Sequence, residues 1–74
     1  MKIQSELDDE RKVQIYFDGE WFDVHLLSVL RGDLFRMFEP DGTPVRFSNN
    51  CITGIARQDA YANDMGNIVI ENYE

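Results

Sequence analysis

From Arg11 onward, apolar and polar residues alternate with a period of two. Val13, Ile15 and Phe17 interleave with Lys12, Gln14 and Tyr16, the pattern of a strand with one face toward a core. Asp18-Gly19 then separates this run from a second, Glu20 to Val24. An Asp-Gly pair between alternating runs predicts a two-residue type I′ turn, whose central positions both need positive φ. That turn sets the register: Phe17 opposite Glu20, Tyr16 opposite Trp21, Ile15 opposite Phe22, Gln14 opposite Asp23, and Val13 opposite Val24. Val13, Ile15, Phe22 and Val24 form the expected core face. Lys12, Gln14, Tyr16, Trp21, Asp23 and His25 form the other, which is polar except for the cross-strand Tyr16–Trp21 pair.

Alternation breaks at "LLSVLRGD", Leu26 to Asp33, which predicts a short helical turn or loop ending at Gly32. In "GDLFRMFEPDGTPVRF", Gly32 to Phe47, Pro40 suits the first corner of a type I turn and Gly42 the left-handed residue after it. The resulting hairpin sets Met37 against Val45 and Phe35 against Phe47, with Arg36 opposite Arg46 on the reverse face beside Phe38 and Pro44. Like charges directly across strands are unfavourable unless solvent or an anion intervenes.

Downstream, Cys51 to Tyr61 contains a further strand with Ile52, Ile55 and Ala56 as apolar positions, and Gly54 predicts a bulge or bend. "ANDMGN", Ala62 to Asn67, reads as a turn. Ile68 to Tyr73 closes the chain as a strand with Ile68 and Ile70 inward. Five short strands with little helix predict an all-β fold: a small antiparallel five-stranded barrel, SH3-like or similar. Residues 11–74 form its single domain. Residues 1–10, with four acids between Glu6 and Glu10, read as a flexible acidic segment, with Ser5 as a cap if one turn of helix forms.

A chain of 74 residues buries a thin core, and a partner or a second copy could complete it. The net charge of −7 opposes a phosphate backbone and disfavours nucleic acid, while suiting a basic protein surface. One cysteine, Cys51, cannot form an internal disulfide, which points to the cytoplasm. The sequence shows no signal-peptide pattern and no run of about 18 apolar residues, so no membrane partner is expected.

The combination "GDLFRMFEPDGTPV", Gly32 to Val45, followed by "IARQDAYANDMGNIVI", Ile55 to Ile70, resembles a group of small uncharacterised proteins encoded by bacteriophages and prophages. The shared pattern is a Gly-Asp, a Phe-Arg-Met run and a Pro-Asp-Gly turn, then Ala-x-x-Asp-x-Tyr and Asn-x-x-Gly before the last strand. The match spans roughly the C-terminal half and leaves out the hairpin Val13 to Val24. It implies a phage or prophage origin, hence a bacterial host cell, and a small β fold; it implies no activity and no site residues.

Catalytic chemistry has little to draw on. His25 is the only histidine and has no nucleophile or second ligand near it in sequence, so an ordinary surface role is expected. Cys51 likewise lacks a neighbouring base. Asp59, Asn63, Asp64 and Asn67 offer oxygens, but Tyr61 and Asp64 break the calcium-loop spacing, so turn chemistry is expected and neither metal nor cofactor.

Two surface features remain. Tyr16 with Trp21 is either an exposed binding pair or a pair covered by the rest of the fold. Arg36 with Arg46 is either a basic spot or neutralised by acids such as Glu39 or Glu71, and the excess of acids favours neutralisation. The expected function is that of a non-enzymatic protein-binding module. It would act on a host protein or on itself through Tyr16, Trp21, His25, Arg36 and Arg46. The alternative is a nucleic-acid-binding barrel that uses Arg36, Arg46, Arg57 and aromatic stacking.

Overall fold

A computed structural model describes residues 2–6, 10–47 and 50–73. The chain runs through β1 (Lys2–Glu6), β2 (Lys12–Phe17), β3 (Glu20–Val24), a 3-10 turn (Leu26–Ser28), β4 (Leu34–Phe38), β5 (Thr53–Ile55), β6 (Tyr61–Ala62) and β7 (Asn67–Glu71). All strand pairs are antiparallel.

The first hairpin takes the expected register residue for residue, but Phe22, expected on the core face, is 43% exposed because the hairpin reaches past the core. β2 pairs with β3 from Val13↔Val24 to Phe17↔Glu20. Its turn residues take φ of 51° at Asp18 and 83° at Gly19, as a type I′ turn requires. The second turn also forms. The Glu39 amide donates to the Thr43 carbonyl at 2.8 Å, the Gly42 amide to the Glu39 carbonyl at 2.8 Å, and Gly42 has φ of 90°.

Beyond that turn the chain leaves the expected path. Phe38 bridges Pro44 and the Val45 amide donates to the Met37 carbonyl at 2.9 Å, but pairing with β4 stops there. The chain turns at Phe47 to Cys51, with Asn50 at φ of 63°, and β5 takes the rest of the β4 edge. Arg36 therefore lies opposite Thr53 on one side and Gln14 on the other, not opposite Arg46. Phe47 still reaches the Phe35 ring, with centroids 5.5 Å apart.

The five-stranded barrel is replaced by two open sheets, a four-stranded one ordered β3-β2-β4-β5 and a three-stranded one ordered β1-β7-β6. One seam joins them: Ala56 bridges Asn72, flanked by the Arg57 amide to the Glu71 carbonyl at 2.9 Å and the Tyr73 amide to the Ile55 carbonyl at 3.0 Å. Closure fails because β3 pairs only with β2 among the described residues, which leaves its outer edge unpaired. Lys2–Glu6, expected within a flexible segment, pairs along its length with β7. Asp8 and Asp9 of that acidic segment lie outside the described residues.

Val13, Val29, Phe35, Met37, Phe47, Ala56, Ile68 and Ile70 form the core between the sheets, with Leu26 from the 3-10 turn. Ile68 and Ile70 point inward as their alternation predicts. Gly54 is not a bulge: it sits in β5 opposite Phe35, where a Cβ would stand 2.9 Å from Cε2 of Phe47.

Candidate protein-binding face

Because Phe35 and Ala56 point into the core, the residues beside them on β4 and β5 point out. Register then lines up an outer row across the four-stranded sheet: Trp21 opposite Tyr16, Tyr16 opposite Leu34, and Leu34 opposite Ile55. The seam extends it, since Ala56 against Asn72 sets Ile55 against Tyr73. The row is apolar or aromatic from end to end. Tyr16 is 44% exposed, Ile55 47% and Tyr73 56%, while Trp21 and Leu34 are half-buried. Aligned aromatic and aliphatic side chains that face solvent are candidate contact surface.

Tyr16 and Trp21 meet as expected, edge to face, with ring centroids 5.2 Å apart. Trp21 is covered on one side by Arg36, whose guanidinium carbon lies 4.1 Å from the indole centroid and 5.4 Å from that of Phe38. Arg36 Nε also donates to Gln14 Oε1 at 2.8 Å, and Gln14 Nε2 donates to Asp23 Oδ1 at 2.8 Å. This chain of contacts crosses β4, β2 and β3 and holds the guanidinium against the ring. A stacked, hydrogen-bonded arginine beside exposed aromatics is the composition enriched at binding hot spots.

The other site residues lie apart from this cluster. His25 caps the 3-10 turn, its Nδ1 accepting from the Leu27 amide at 3.1 Å. With Arg11, Lys12, Asp23 and the apolar Val13, Val24 and Leu26 it lines a shallow cavity of about 240 Å³. Arg46 turns toward the Asn50 carbonyl, with Nη1 3.3 Å away. The acids expected to neutralise the arginines have other partners. Glu39 pairs with Arg11 Nε at 2.8 Å, and Glu71 Oε2 accepts from Gln58 at 2.7 Å and Tyr61 at 3.1 Å. Burial, then the Glu71 contact, pushes the Tyr61 phenol up from its ordinary value.

Arg36 stacks on the Trp21 and Phe38 rings, whereas Arg46 turns to the Asn50 carbonyl. The candidate oxygen ligands serve the backbone. Asn63 Oδ1 accepts from the Met65 and Asn67 amides at 3.0 Å each, and Asp59 Oδ1 accepts from the Arg31 amide at 2.9 Å. Cys51 is exposed.

The alternation does not assign Leu34, Ile55 or Tyr73 to this face; Ile55, expected as an apolar strand position alongside Ala56, is exposed while Ala56 is buried. Each sits in a different strand or at the seam, and only the order β3-β2-β4-β5 and the seam to Tyr73 bring them into line. No protein-family model, no curated protein and no solved structure matches this chain.

Proposed function

We propose that this chain is a non-enzymatic protein-binding module that makes its contact through the outer row Trp21, Tyr16, Leu34, Ile55 and Tyr73, with Arg36 at its side. The observation that carries the proposal is the row itself: residues from successive strands, aligned by register, presenting aromatic and aliphatic surface outward. Resemblance in the C-terminal half adds a phage or prophage origin and a bacterial host protein as the partner. A net charge of −7 on each copy makes a different protein a better partner than a second copy.

The test is capture of a partner from bacterial lysate on immobilised protein, with and without nuclease, eluted by stepwise salt. A contact centred on apolar side chains survives nuclease and high salt and is lost in Trp21→Ala and in Ile55→Ser, both at solvent-facing positions. Retention of nucleic acid that elutes at moderate salt, or full capture by both variants, overturns the proposal.

A further inference from the structure

The hairpin β2–β3 reaches past the core. On its inner face Val13 is buried at one end, yet Phe22 is 43% exposed and Phe17, at the other end, 68%. Beside these rings lies the outer edge of β3, which is unpaired among the described residues. In a hairpin closed by a two-residue turn the flanking pair, Phe17 with Glu20, is hydrogen-bonded, and bonded pairs alternate from there. Glu20, Phe22 and Val24 thus direct their amides and carbonyls to β2. Trp21 and Asp23 direct theirs outward, to the free edge.

Natural edges are blunted by proline, bulges or charge. The residues of β3 include no proline, and its ladder with β2 is continuous. What remains is charge: Glu20 and Asp23 are exposed on β3 and Asp18 in the turn before it, and no ion pair engages them among the described residues. These acids select the occupant. A second copy pairing antiparallel about Phe22 would bring two chains of −7 together with acids on both edges. A basic strand would find complementary charge where a second copy finds repulsion.

We propose that the outer edge of β3 takes up an extended basic segment of another protein as an added antiparallel strand. The register specifies its pattern. A cationic residue sits opposite Asp23 on the outer face, an apolar one opposite Phe22 on the inner face, an apolar or aromatic one opposite Trp21, and a cationic one opposite Glu20. Backbone bonds to Trp21 and Asp23 supply the attachment, and the exposed inner ring of Phe22 gains a neighbour. The added strand meets the outer row only at its Trp21 end, and Ile55 lies at the other side of the four-stranded sheet, so a change at Ile55 tells the two proposals apart.

The probe is the synthetic peptide Thr-Lys-Val-Tyr-Lys-Thr, compared with Thr-Glu-Val-Tyr-Glu-Thr and with the basic peptide N-methylated at the residues opposite Asp23 and Trp21. Binding and amide exchange are followed residue by residue by NMR on the full chain. The basic peptide should bind and slow exchange of the Trp21 and Asp23 amides by about tenfold or more. The N-methylated and acidic peptides should not bind. Glu20→Lys with Asp23→Lys, at exposed positions, should weaken the basic peptide by about tenfold and admit the acidic one. Ile55→Ser on the outer row should leave the basic peptide's binding unchanged. Equal binding of the two charge types, binding of the N-methylated peptide, or unaltered exchange at Trp21 and Asp23 overturns the proposal.

Discussion

Gly54→Ala adds one methyl group at a crowded point of the four-stranded sheet. The new Cβ would lie 2.9 Å from Cε2 and 3.2 Å from Cδ2 of Phe47, and 3.0 Å from Nδ2 of Asn72. None of these neighbours can move away cheaply. The Phe47 ring is buried and packs on Phe35, and the buried Asn72 amide donates to the Tyr73 carbonyl at 3.1 Å. Overpacking of this size costs about 1–3 kcal/mol, against a gain of about 0.4–1 kcal/mol from a stiffer unfolded chain. The net loss is about 1–2 kcal/mol, which lowers the melting temperature of so small a domain by about 4–16 °C.

Phe47→Leu removes the ring edge that the methyl group strikes. In that background the cost of Gly54→Ala should fall by roughly half, the Asn72 contact at 3.0 Å remaining, a coupling that urea midpoints of wild type, both single variants and the double variant would measure. An unchanged midpoint for Gly54→Ala, or its full cost persisting in the Phe47→Leu background, would refute the close approach of β5 to Phe47.

Arg36→Lys keeps the charge but loses the stack on Trp21 and the Nε donor to Gln14. It should cost about 1–2 kcal/mol by urea midpoint and shift Trp21 emission to the red. Tyr61 holds its proton more tightly in the folded chain than in the unfolded one, chiefly through burial. Its contribution is therefore intact below the ordinary value of 10.0 and is lost as pH rises through that value toward the folded one. Urea midpoints followed from neutral pH upward should fall less steeply for Tyr61→Phe than for wild type; identical slopes would contradict the upward shift of the Tyr61 phenol.

Local chemistry makes some elements legible, and long-range pairing hides others. Asp18-Gly19 and Pro40-Asp41-Gly42 act through backbone preferences of adjacent residues, so both turns and the whole β2–β3 register can be read from the chain. Alternation places Phe22 on the core side, but it reports the face and not how far the core extends beneath it. Extending the second hairpin sets Arg46 against Arg36, yet that hairpin ends at Val45; no local signal announces that β5 displaces its second limb. A glycine in a strand suits either a bulge or a close approach, and only the position of Phe47 decides for the second at Gly54. Tyr16 with Trp21 follows from the turn register, whereas Arg36 joins them only because β4 pairs with β2.

Trp21 is the sole tryptophan, so its fluorescence reports on the proposed contact face directly. The decisive measurement is collisional quenching of Trp21 by acrylamide, with and without a saturating amount of the partner recovered from lysate. Burial of the outer row predicts that the partner lowers the quenching constant and shifts emission to the blue. Saturated binding with quenching and emission unchanged would place the contact elsewhere and contradict the account.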